Sequence, residues 1–87
     1  MLFFTYIIKS DIDGSYFYGQ TNNLQRRLNQ HNRGLEKTTR HLRPWKLLAY
    51  KDFETREAAM SLERRLKLMN TANDVENFIK VHGFHFS

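Results

Sequence analysis

The 87-residue chain contains no cysteine and one proline, and between positions 26 and 46 it carries a single acid, Glu36. The missing thiols exclude disulfides and any thiolate metal site, so stability has to come from an apolar core. That usage suits a reducing compartment, and a cytoplasmic location is expected. The longest apolar run, Met1 to Ile8, is too short to span a bilayer and lacks the basic n-region and small-residue cleavage site of a signal peptide. It predicts a strand and no membrane association. Four histidines, His31, His41, His82 and His85, show no paired spacing of the kind that zinc requires. Internal repeats, linkers and low-complexity segments are absent as well.

With 40% hydrophobic, 14% aromatic and 26% charged residues, the composition is that of a folded globular protein. A chain of this size buries only about 60% of its unfolded surface, which leaves room for one core and predicts a single domain over 1–87. The net charge is +5, and half of the fourteen Lys and Arg residues fall in the acid-poor stretch: Arg26, Arg27, Arg33, Lys37, Arg40, Arg43 and Lys46. A solvated basic surface would account for the net charge alone. The clustering points further, to a polyanionic partner such as nucleic acid.

Residues 3 to 9, FFTYIIK, are β-branched and aromatic on both alternating faces, which predicts a central strand covered from both sides. Asp13-Gly14 supplies the positive φ angles of a tight hairpin, so YFYGQ should return antiparallel to it. Thr21, Asn22 and Asn23 offer N-cap oxygens for a helix over about 23 to 32, with Leu24 and Leu28 on one stripe and Gly34 closing it. The basic stretch 35 to 43 reads as a loop, and Pro44 opens a third strand, WKLLAYKDF. Thr55 caps a helix whose Ala59, Leu62, Leu66 and Met69 recur at helical spacing, ending near Asn70. A last helix, about Thr71 to His82, places Val75, Phe78 and Ile79 on one stripe and stops at Gly83. The order β-β-α-β-α-α predicts an α+β fold, a small sheet with helices covering its apolar faces.

Arg27 and His31 are spaced i, i+4 and share one face of the first helix. Alone they are weak signals, because an Arg and a His on a surface helix are more often solvated than catalytic. Glu63, one turn before Lys67, reads equally well as an ion pair worth about 0.3–0.5 kcal/mol. Tyr6, in mid-strand, reads as core packing with a tethered hydroxyl. Their joint arrangement is more specific. TYI at 5 to 7 and FYG at 17 to 19, followed by TNNLQRRLNQHN and RPWKLLAYKDFETREAAMSLERRLK, resemble in content and spacing the GIY-YIG nuclease domain, and most of all its short, single-domain members. The resemblance covers about 3 to 69 and implies a three-stranded antiparallel sheet flanked by helices.

The resemblance gives Tyr6 the place of the first motif tyrosine, Gly19 that of the motif glycine, Arg27 that of the catalytic arginine, His31 that of the helix histidine and Glu63 that of the metal-binding glutamate. Three positions depart from the pattern. Phe17 stands at the second motif tyrosine, Phe4 at the first motif glycine, and Lys37, Thr38, Thr39 where short relatives show Lys-Tyr-Thr. The implied activity is metal-dependent DNA cleavage using Mg²⁺ or Mn²⁺; because a lone domain of this size has few spare elements for base readout, the expected substrate is branched, nicked or otherwise irregular DNA, and a monomer or weak homodimer is expected. Arg26, Arg33, Lys37, Arg40, Arg43 and Lys46 are the expected phosphate contacts. Two other readings stand beside it. One is a nucleic-acid-binding module that lost turnover through Phe17; the other is a protein-interaction domain anchored by Trp45, Phe84 and Phe86.

Overall fold

Strict alternation of side chains along the first strand sets the architecture of the computed structural model, which describes residues 1–87. In β1 (Phe3–Ser10) four consecutive residues, Thr5 to Ile8, are buried, so both faces of the strand are covered. Ile7 points into one apolar cluster with Ala49, Leu62, Leu66, Val75, Ile79 and Phe84. Tyr6 and Ile8 point into the other, with Trp45, against which Phe17, Leu24 and Leu28 pack.

β2 (Tyr16–Thr21) returns antiparallel to β1, with Tyr6 opposite Gly19 and Ile8 opposite Phe17. β3 (Trp45–Phe53) pairs antiparallel on the other side of β1, with a bulge between Ile7 and Ile8. α1 (Leu24–Asn32) follows β2 and starts at Asn23, whose side chain accepts from the Arg26 amide at 3.0 Å. It covers the Tyr6 face through Leu24 and Leu28. α2 (Arg56–Lys67) and α3 (Ala72–Val81), capped by Thr55 and Thr71, cover the Ile7 face. No helix is long and apolar enough to cross a membrane.

Two expectations need correction. The sheet has four strands, in the order β2-β1-β3-β4, so the element order is β-β-α-β-α-α-β. After α3, Gly83 at φ +73° turns the chain back, Phe84 enters the core, and His85–Phe86 (β4) pair with Tyr50 and Ala49. A two-residue strand carries no readable alternation, and its pairing depends on where α3 delivers the chain. The second helix also stops at Lys67 rather than near Asn70, since Met69 packs on the core from beyond its end. Within the basic stretch, Arg40–Leu42 form one 3-10 turn.

Leu66 is fully buried between α2 and the sheet. Leu66→Ala should therefore destabilise the fold by about 2–5 kcal/mol, read as a lower urea midpoint at unchanged slope.

Candidate active site

The site is built outward from Tyr6. As a mid-strand residue on the α1 face of a central strand it is 2% exposed, and its hydroxyl has to find partners inside the protein. The phenol lies over Gly19 on the neighbouring strand, where an added Cβ would overlap the ring. Only a residue without a side chain leaves that space, which explains a glycine in the middle of a strand.

Two partners for the phenol come from α1, one turn apart. His31 Nε2 is 2.9 Å from the Tyr6 oxygen, and Arg27 Nε donates to the same oxygen at 3.2 Å. The helix is held at this distance by its own end: Asn32 donates to the Trp45 carbonyl at 2.9 Å and accepts from the Trp45 amide at 2.6 Å, tying α1 to the start of β3. His31 has no exposed surface, and its Nδ1 meets Thr39 Oγ1 at 2.8 Å. Thr39 is buried in turn, its carbonyl accepting from the Trp45 indole at 2.8 Å. A continuous hydrogen-bonded chain, Arg27–Tyr6–His31–Thr39–Trp45, thus links β1, α1, the basic loop and β3.

Burial and the nearby Arg27 cation lower the His31 pKa to about 4, so its imidazole is neutral at physiological pH. Burial also pushes the Tyr6 phenol above its ordinary value; Arg27 counters this in part, while Glu63 and Glu36 add to it. Burial works against the Arg27 charge, but hydrogen bonding to Glu36 and the contact with Tyr6 keep it firmly protonated. The rest of the guanidinium is occupied too: Nη2 donates to Glu36 Oε1 at 2.6 Å and Nη1 to Gln30 Oε1 at 3.1 Å. That ion pair holds the Glu36 carboxyl below its usual range.

Phe17 packs edge-on against His31, with ring centroids 5.1 Å apart, and against Trp45 at 6.4 Å. Tyr16 and Tyr18 face the opposite, α2–α3 side of the sheet, so neither hydroxyl replaces the one that Phe17 lacks. Glu63 stands apart from this hydrogen-bonded chain, on α2. It accepts from Lys67 on Oε2 at 2.7 Å, the i, i+4 pair read from sequence. Its charge is nonetheless felt at Tyr6. No group of three His, Cys, Asp or Glu residues comes together to cage a metal. A single carboxylate suits only a hard cation that keeps most of its waters, as Mg²⁺ does.

The six expected phosphate contacts, Arg26, Arg33, Lys37, Arg40, Arg43 and Lys46, are all exposed. Arg26 donates to Asn22 at 3.1 Å and Lys46 lies 3.8 Å from Asp11. Arg43 lies against Gly34, at the end of α1. Sequence reasoning gave no role to Thr39, Glu36 or Gln30. Thr39 carried one signal, since it ends the Lys37-Thr38-Thr39 segment; Glu36 was conspicuous only as the lone acid among cations.

A family profile described as the GIY-YIG catalytic domain matches residues 2–82. Among curated relatives, a UPF0213 protein of Listeria welshimeri is 37% identical over 71 residues, 80% of this chain and 78% of that protein. A UPF0213 protein of Bacillus velezensis is 42% identical over 69 residues, covering 78% and 69%. Among solved structures, the solution NMR structure of the UPF0213 protein BH0048 from Bacillus halodurans aligns with a TM-score of 0.58 at 31% identity, covering 95% of this chain and 87% of that one.

Two outcomes follow from this geometry. Gly19→Ala should drive the Tyr6 ring off its partners and cost on the order of 1–3 kcal/mol of stability, measured by urea unfolding. For His31 the folded pKa of about 4 lies below the unfolded value of 6.5, so its contribution is complete above pH 6.5 and is lost as pH falls towards 4. Between about pH 6.5 and pH 5 the loss should reach about 2 kcal/mol, before carboxylates titrate, and His31→Gln should flatten that slope.

Proposed function

This chain belongs to the GIY-YIG catalytic-domain family, and from that premise we propose that it is a divalent-metal-dependent DNA endonuclease, slow and selective for DNA shape rather than sequence. The observation that carries the reading is the convergence of a permanently charged guanidinium, a neutral imidazole and a buried phenol on one oxygen, the Tyr6 hydroxyl.

Hydrolysis of a phosphodiester needs a proton acceptor for the attacking water and positive charge on the phosphoryl oxygens. The raised pKa of Tyr6 leaves almost no phenolate at neutral pH and the lowered pKa of His31 makes its imidazole a poor final base, so the pair positions the attacking water: the phenol donates to His31 Nε2 and its oxygen accepts from the water. In the tautomer that this requires, His31 Nδ1–H donates to Thr39 Oγ1, which fixes the ring. The Arg27 Nε–H holds the phenol oxygen in place, and the guanidinium carries the phosphoryl charge. Glu63 is the residue that would hold a Mg²⁺ or Mn²⁺ ion, which when bound supplies Lewis acidity to a phosphoryl oxygen. The exposed cations of α1 and the basic loop hold the flanking backbone, which carries no sequence information by itself.

Phe17 supports a second reading, a DNA-binding module with little turnover. The ring keeps its packing on His31 but brings no hydroxyl to the site. Loss of one positioned hydrogen-bonding group typically costs roughly 10²–10³ in rate, which slows an enzyme without abolishing it.

Single-turnover cleavage of labelled nicked and branched DNA in Mg²⁺ or Mn²⁺ separates the two. The nuclease reading expects metal-dependent cutting that Phe17→Tyr accelerates by up to about 10²-fold, that Arg27→Ala slows by at least about 10²-fold, and that Glu63→Ala abolishes. Tight binding without cutting, by both the natural chain and Phe17→Tyr, leaves only the binding module.

A further inference from the structure

We propose that Glu36 is a phosphate surrogate: its carboxylate holds the Arg27 guanidinium in the free protein and must be displaced by a DNA phosphate before that guanidinium can engage the substrate. This inference rests on the nuclease reading of the same site and concerns the step that precedes chemistry.

The contact itself is a short charge-assisted one, Arg27 Nη2 to Glu36 Oε1 at 2.6 Å. With Nε on Tyr6 and Nη1 on Gln30, all three guanidinium nitrogens have partners, and Glu36 is the only anion among them. Carboxylate and phosphate present the same kind of acceptor oxygens to an arginine fork, so the two anions compete for it. A phosphate approaching while the carboxylate stays in place also meets its negative charge.

The setting suits exchange. Glu36 is the one acid among seven cations between positions 26 and 46, so it opposes the field that draws DNA to this surface. Its backbone is anchored, the carbonyl accepting from the amides of Thr39 at 3.2 Å and Arg40 at 3.1 Å. Its side chain is 31% exposed and that of Arg27 28%. The carboxylate can therefore rotate into solvent without unfolding the loop that carries Thr39. Lys37 and Arg40, which follow Glu36 in the same loop, are exposed cations. A residue whose purpose was only to hold Arg27 in place need not be charged, since Gln30 and Tyr6 already supply neutral acceptors.

A double-mutant cycle tests this with a fluorescent nicked duplex. Affinity is measured by anisotropy in Ca²⁺ at fixed salt, for the natural chain, Glu36→Gln, Arg27→Ala and the double variant, and the folded state is checked by thermal unfolding. Glu36→Gln, and Glu36→Ala as a second variant, should tighten binding by roughly 5–10-fold and raise kcat/KM in parallel. In the Arg27→Ala background the tightening should vanish. Three results overturn the proposal with DNA binding intact. They are unchanged or weaker binding by Glu36→Gln; a fall in its kcat, which makes Glu36 a positioning residue; and equal tightening without Arg27, which makes the effect one of bulk charge. Absence of DNA binding by every protein overturns the nuclease reading and this inference together, whereas binding that follows the cycle without any cutting sinks the nuclease reading alone.

Discussion

The hydrogen-bonded chain that starts at the Tyr6 hydroxyl is the constraint on which the α1 side of this protein depends. Tyr6 is buried by the strand it belongs to, so its oxygen must be satisfied from within, and only α1 is close enough to do it. That requirement places His31 inside the protein, and His31 in turn requires an acceptor or donor on its far nitrogen. Thr39 meets it, and Trp45 clamps Thr39 through the backbone carbonyl. No buried side-chain polar atom is left without a partner. Breaking any one link strands the next, and in a low-dielectric interior each stranded group costs more than a single hydrogen bond returns.

The sheet divides the labour between its faces. Ile7, Leu62, Leu66, Val75 and Ile79 make an apolar core on the α2–α3 side. The opposite side has a thinner apolar layer, in which Phe17, Leu24 and Leu28 surround polar groups. Phe17 packs on His31 and Trp45, whereas the strand alternation keeps Tyr16 and Tyr18 on the other face whatever their chemistry.

The charges of the site cancel within the protein. Arg27 is paired with Glu36 and Glu63 with Lys67, so each of these groups is held by an internal counter-ion. Such pairing avoids uncompensated charge on a half-buried surface.

Much of this was readable from sequence. The alternation of FFTYIIK, the Asn23 and Thr55 caps and the apolar stripes of α1, α2 and α3 are local signals, and each led to the element observed; Asp13-Gly14 marked the reversal, but Gly14 alone takes a positive φ and the connection, from Ser10 to Tyr16, is longer than the tight hairpin expected. Arg27 and His31 share a helix face because i, i+4 geometry is a property of any helix. What tertiary structure alone decided lies in contacts between distant segments. β4 exists because Gly83 and the end of α3 bring two residues beside β3, a pairing with no periodicity of its own. Thr39 and Glu36 sit in a loop without a repeat, and the partners each finds depend on where α1 ends and β3 begins. The sequence could place a histidine on a helix; only the packed fold could bury it, hold it neutral and give both its nitrogens a partner.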